Sequence, residues 1–194
     1  IGFNASGNID AAIWRLDASM AFKLPDTGMT TSVTGTFGED HDYTINPPSY
    51  TDNGNGTITD NNTRFMWQKE DDNTTRTWAN AGTYCNGLTL GTYSDWRLPT
   101  VKELHTIANY GLVWGSPTIN TTYFPNTNSS PFWTSTIYAG DAFYAFVADF
   151  NLTYSSAQSK TSSYYVRCVR GGQYPSQNLM DLGNGIVRDN ATGL

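Results

Sequence analysis

The chain has 194 residues, and its 11 Lys and Arg against 17 Asp and Glu give a formal net charge of −6. That length suits one domain with extra segments, the acidic balance excludes a general binder of nucleic-acid phosphates, and no apolar run approaches the ~18 residues of a membrane helix. Thr, Asn and Ser number 27, 18 and 15 against 4 Lys and 3 Glu. Strand and turn formers therefore dominate over helix formers, and the surface is coated with neutral hydroxyls and amides. Aromatic residues at 14% are too many for a disordered chain.

The sequence opens on Ile1 rather than Met, as a processed chain or a piece of a longer one does, and no signal-peptide h-region stands at its start. Two readings stand for Cys85 and Cys168: a pair of buried free thiols, or one disulfide. The Lys-poor, hydroxyl-rich surface favours the disulfide and a place outside the cytoplasm, where such bonds persist. Asn-x-Ser/Thr triplets begin at Asn4, Asn55, Asn61, Asn73, Asn120, Asn128, Asn151 and Asn190. They suit glycan acceptors, but turn chemistry is the plainer reading. Leu24-Pro25-Asp26-Thr27-Gly28 fits the sortase pattern LPxTG; Met29-Thr30-Thr31-Ser32 follows where a hydrophobic segment belongs, so the match is one of chance.

In chain order, residues 1–36 give weak signals, with Ile9, Ile13, Trp14 and Phe22 as apolar anchors of an N-terminal extension. Turn clusters at 52–56 and 60–63 bracket a strand at Thr57-Ile58-Thr59, and a second strand runs from Arg64 to Gln68. A helix opens at Thr77: Trp78, Ala81, Gly82 and Cys85 fall on one stripe, and Gly87 suits its end. A second helix opens with the capping box Thr100-Val101-Lys102-Glu103 behind Pro99, carries Leu104, Ile107 and Ala108 inward, and is expected to end at Gly111. An irregular stretch with Pro117, Pro125 and Pro131 leads to short strands at 132–138, 142–149, 152–155 and 163–170. Residues 142–149 carry apolar side chains on both faces, which predicts a central strand. Hairpins, two helices and a β-meander in that order predict an α+β fold.

Residues 52–65 read DNGNGTITDNNTRF and residues 181–194 read DLGNGIVRDNATGL, identical at seven of fourteen positions with an offset of 129. A second copy of the domain thus begins near 175. The resulting division is an extension at 1–36, a domain at 37–172, and a linker with the truncated start of a second copy at 173–194. The DNGNG run is not a calcium loop: with Gly56 at the sixth position, the ligand positions hold Thr51, Asn53, Asn55 and Asn62, none of them a carboxylate.

YTDNGNGTITDNNTRFMWQK, TWANAGTYCNGL, SDWRLPTVKEL, FWTSTIY and YYVRCVRGG, in that order, resemble the C-terminal domain of bacterial collagen-like proteins, the Lcl C-terminal domain family, formerly a domain of unknown function. The resemblance covers about residues 24–173 and restarts at 181. It implies a C-type-lectin-like fold related to formylglycine-generating-enzyme domains. It also implies that Arg97-Leu98-Pro99-Thr100 turns into the second helix, and that Val166 to Arg170 is a core strand whose Cys168 faces the first helix and Cys85.

The residues give little chemistry to an enzyme. His105 sits one step off the buried stripe of its helix, and His41 lies among solvated acids Glu39, Asp40 and Asp42. The reactive cysteines of the related enzymes have no spare counterpart here. No catalytic residue, metal or cofactor is expected. Residues 138–165 mix Tyr with Ser, Gly and Asn, the composition of a binding loop, and the resemblance implies ligand contact in this late region. The candidate contacts are Tyr138, Asp141, Phe143, Tyr144, Asn151, Tyr154, Lys160 and Tyr164; the plain alternative is a meander with hydroxyls facing water. The expected role is a non-catalytic bacterial adhesin or recognition module, extracellular or at the cell surface, that binds a glycan or protein. The alternative is a structural subunit of a surface filament, self-associating through residues 1–22 and 181–194.

Overall fold

A computed structural model describes residues 22–32, 34–38, 40–112, 116–172, 179–183 and 185–189. They divide into two units, one spanning residues 24–174 and one holding the described residues outside that span. In the first, β1 (Tyr50–Asp52), β2 (Thr57–Asp60) and β3 (Met66–Gln68) precede α1 (Trp78–Gly87) and α2 (Val101–His105), and β4 (Pro131–Ile137), β5 (Tyr144–Asp149), β6 (Tyr154–Ser159) and β7 (Val169–Arg170) follow. The sheet orders are β1-β2-β3-β7 and β4-β5-β6, with antiparallel neighbours throughout. The fold is α+β.

α1 begins where expected, but its burial is narrower than the stripe: Ala81 and Cys85 are buried, while Trp78 and Gly82 are half-buried. The capping box at the start of α2 forms in both directions. The Glu103 N–H donates to Thr100 Oγ1 at 3.3 Å, and the Thr100 N–H donates to Glu103 Oε2 at 2.8 Å. α2 stops at His105, short of Gly111, because the chain turns to pair elsewhere. Thr106 Oγ1 donates back to the Glu103 carbonyl, and the Asn109 N–H donates to the Thr118 carbonyl. Arg64, expected to open a strand, has a φ of 64° and belongs to the turn before β3.

Cys85 and Cys168 are joined, with Cα atoms 5.5 Å apart. The bond lies in a cluster with Ala81, Trp96, Leu98, Trp133, Ala145, Val147 and Val166, so α1 and the β4-β5-β6 sheet share one core, with Met66 of β3 packed against it. The strand expected over 163–170 is mostly single bridges: Arg76 pairs with Tyr164, Arg97 with Val169, and Phe132 with Tyr165. Arg167, fully buried in this segment, has both terminal nitrogens bonded, while its buried Nε has no hydrogen-bond partner. It donates to the carbonyls of Gln68 (2.7 Å) and Lys69 (2.5 Å), to Thr127 Oγ1 (2.8 Å) and to Asp71 Oδ2 (3.1 Å). Burial brings its guanidinium down to about 10 and pushes the Asp71 carboxyl above the usual carboxylate range.

The second unit contains the hairpin β8 (Leu179–Gly183) and β9 (Ile186–Asp189). Leu179 pairs with Asp189, Met180 with Arg188, and Asp181 with Val187. Exactly 129 positions earlier, Tyr50 pairs with Asp60, Thr51 with Thr59, and Asp52 with Ile58. The turns also match: the Gly183 N–H donates to Asp181 Oδ1 at 2.7 Å, as the Gly54 N–H does to Asp52 Oδ1 at 3.0 Å, and both glycines have positive φ. Coverage differs. Ile58 is fully buried beneath its pairing with β3, whereas Val187 is 57% exposed. Ile9, Ile13, Trp14 and the last five residues, Leu194 included, lie outside the described residues.

Reduction of the disulfide, or the double change Cys85→Ala with Cys168→Ala, is expected to lower the unfolding free energy by roughly 2–4 kcal/mol. Urea denaturation with and without reductant checks this, and coincident midpoints would contradict it.

Candidate functional site

β4 and β5 meet in a turn that carries four of the candidate residues. The turn is closed by its own backbone: the Tyr138 N–H donates to the Tyr144 carbonyl at 3.1 Å, and the Tyr144 N–H donates to the Asp141 carbonyl at 3.1 Å. Asp141 Oδ1 accepts from the Phe143 N–H at 2.9 Å, which occupies that carboxylate as a turn former. The result is an apolar tip: Phe143 is 80% exposed, Ile137 48%, Tyr138 41% and Tyr144 40%. Lys160 joins it, since its N–H donates to the Phe143 carbonyl at 3.0 Å.

The remaining candidates lie elsewhere. Tyr144 pairs with Ser159, while Tyr154 pairs with Asp149; the five intervening steps of strand put Tyr154 about 17 Å away along the sheet. Asn151 shares that far end, its N–H donating to Asp149 Oδ1 at 2.7 Å. Tyr164 is half-buried, edge-on to Trp133 with centroids 5.1 Å apart, and its hydroxyl donates to Gln158 Oε1. The eight residues thus form one cluster of five, one core-facing tyrosine and a separate pair.

Beside the tip lies a cleft of about 350 Å³ between α1, the Arg97–Thr100 turn and β4, lined by Trp78, Ala79, Gly82, Asn86, Arg97, Leu98, Thr100 and Ser135. Trp78 Nε1 donates to the Thr134 carbonyl at 2.8 Å, which fixes the indole. Lys160 Nζ stands 4.2 Å from the Trp78 ring centroid, and the Trp78 N–H donates to the Lys160 carbonyl at 3.1 Å. Arg97 is committed inward, forked onto Glu103 at 2.7 and 2.8 Å. A second cleft, of about 390 Å³, runs along the first hairpin past Asp52, Gly56, Gln68, Lys69 and Leu90; there Lys69 Nζ pairs with Asp52 at 2.7 Å and holds that carboxyl below its ordinary value. The first cleft was not anticipated from the sequence. A glycine in mid-helix, one turn after a tryptophan, was the available signal, and the helical stripe absorbed it.

His105 makes an unexpected chain of contacts. Its Nε2 is hydrogen-bonded to Ser155 Oγ at 2.5 Å and its Nδ1 to the Tyr110 hydroxyl at 2.8 Å. A serine–histidine pair suggests nucleophilic chemistry, but the orienting partner here is a phenol, and burial pushes Tyr110 above its ordinary value. Both ring nitrogens are taken by hydroxyls, so neither is bonded to a carboxylate that would steady an imidazolium. The chain instead ties α2 to β6. Among the described residues no three His, Cys, Asp or Glu side chains are placed to hold a metal, and no described helix is long and apolar enough to cross a membrane.

The family model described as Lcl C-terminal domain matches residues 56–170 of this chain. No curated protein matches it.

Burial alone lowers His105 from its ordinary value. Between the folded and unfolded values the unfolded chain binds the proton and the folded chain does not, so stability falls as pH drops through about 6.5 and levels off below the folded value. Thermal melts from pH 7.5 to 5 are expected to show this fall in the wild type and a shallower one in His105→Gln. Equal slopes in the two proteins would refute the assignment.

Proposed function

The chain belongs to the Lcl C-terminal domain family, and on that premise we propose that it is a non-catalytic recognition module of an extracellular bacterial surface protein. Its domain is C-type-lectin-like, and it works as an adhesin that engages a glycan or protein through the β4–β5 tip. The observation that carries this reading is the tip itself. Ile137, Tyr138, Phe143 and Tyr144 stand exposed on a turn closed by backbone hydrogen bonds between Tyr138, Asp141 and Tyr144. Tyr138 packs edge-on against Phe146, but presenting Phe143 at 80% exposure costs solubility, whereas aromatic anchors on a rigid turn lose little entropy on binding.

Two further observations support the setting. The disulfide suits an oxidising compartment. The −6 charge disfavours polyanionic partners such as nucleic acid. The catalytic alternative would rest on the Ser155–His105 pair, which lacks an anionic orienter.

The β8–β9 hairpin favours a second reading, a structural subunit of a surface filament. Leu179, Ile186 and Val187 are 58%, 58% and 57% exposed, and a two-stranded hairpin is marginal alone in water. In that reading the hairpin docks onto another copy of the chain. Sedimentation over a hundredfold concentration range decides it: the filament reading requires association that Ile186→Lys with Val187→Lys abolishes, and a monomer at every concentration removes it.

For the recognition module, the expected outcome is that bacterial or host cell surfaces and glycan arrays retain the immobilised chain. Phe143→Ala with Tyr144→Ala should weaken retention at least tenfold, the scale of interface hot spots, while Tyr154→Ala at the far end changes it little. Retention unaffected by the double variant would place the contact elsewhere.

A further inference from the structure

The tip has a polar neighbour whose chemistry narrows the ligand class. Resting on the recognition reading above, we propose that the cleft between α1 and β4 is the primary subsite for a neutral saccharide, with the tip as its extension for a longer chain.

Among its described lining residues the cleft carries no unspent charge, and Lys160 at its edge is laid over the Trp78 ring. Arg97, the one ionic residue among its described lining residues, is forked onto Glu103, and its Nη2 also donates to the Gly172 carbonyl. An anionic sugar finds no free cation in this lining, and a cationic ligand finds no carboxylate. What the lining does offer is a tryptophan held in one orientation, and the amide and hydroxyls of Asn86, Thr100 and Ser135. An aromatic wall beside uncharged donors and acceptors matches a pyranose, which has apolar C–H faces and a rim of hydroxyls. The volume of about 350 Å³ lies at the small end of ligand pockets, roughly 300–1,000 Å³, and suits one or two rings.

Gly82 points the same way. It sits inside α1, where glycine is the poorest ordinary helix former after proline. A Cβ added there meets no protein atom within 4 Å, so neither packing nor backbone conformation demands the glycine. Bare backbone at the wall of a cleft lets a ligand approach closely. The cleft and the tip are also continuous. The Trp78 N–H bonds to the Lys160 carbonyl and the Lys160 N–H to the Phe143 carbonyl, so an oligosaccharide leaving the cleft past Trp78 reaches the exposed aromatics.

The test titrates the whole chain with free neutral hexose and N-acetylhexosamine oligosaccharides, and in parallel with sulfated and uronic-acid oligosaccharides, followed by tryptophan fluorescence and saturation-transfer NMR. The expected result is binding of a neutral oligosaccharide with a shift in tryptophan emission. Gly82→Leu, which fills the cleft, should weaken it at least tenfold. Asn86→Ala with Ser135→Ala, which leaves the helix stripe and core intact, should do the same and keeps the test decisive if Gly82→Leu misfolds. Neutral binding unchanged by the cleft variants overturns the cleft and leaves the recognition reading standing. Binding of charged sugars alone overturns the ligand class. No sugar binding with tip-dependent retention on cells overturns the subsite only, and loss of both removes the recognition reading as well.

Discussion

Val166, Arg167, Cys168 and Val169 are all buried, so the chain here has no outer face. Everything else is arranged around this segment. Cys168 is bonded to α1 through Cys85, Val169 pairs with Trp67 of β3 and bridges to Arg97, and Arg167 reaches four acceptors drawn from residues 68–71 and from Thr127. The buried guanidinium is held by the acceptors on its two terminal nitrogens, and removing one of those partners leaves an uncompensated charge at several kcal/mol. The loops that supply those acceptors are thereby fixed by the charge they surround, and the disulfide limits how far α1 can move from the strand.

The site inherits this rigidity. Arg97 bridges to Val169 by its backbone and forks onto Glu103 by its side chain, while Glu103 also closes the capping box of α2. One buried carboxylate therefore holds the turn, the helix start and one wall of the cleft. The opposite wall is α1, pinned by the disulfide, and the floor is β4, whose Ser135 N–H donates to the Pro99 carbonyl at 2.7 Å. A cleft whose three walls are each anchored has little conformational freedom left to lose on binding.

The parts of this structure that could be read from the residues are those set by nearby contacts. The Thr100–Glu103 box, the start of α1 at Trp78 and the Asp52–Gly54 turn all depend on atoms within a few positions of one another. The repeat made the β8–β9 register legible for the same reason, because an Asx turn with a left-handed glycine sets the pairing wherever it recurs. Arg167 was not legible as an interior residue, since an arginine beside alternating apolar positions reads as surface until its acceptors are seen. The early end of α2 was equally hidden, because the Asn109–Thr118 pairing that stops it joins segments the pattern does not link.

The candidate site divides along the same line. Composition singled out residues 138–165 as an aromatic, hydroxyl-rich stretch, and the sequence by itself determined the α+β class, the net acidic charge and the cysteine pair available for bonding. Only the tertiary structure separated Tyr154 and Asn151 from the tip, turned Tyr164 toward Trp133, and set Gly82 and Trp78 opposite Ser135 across a cleft. Strand pairing decides which residues of a stretch end up together, and a cleft exists only where elements more than fifty residues apart are held at a fixed spacing by bonds that local patterns do not encode.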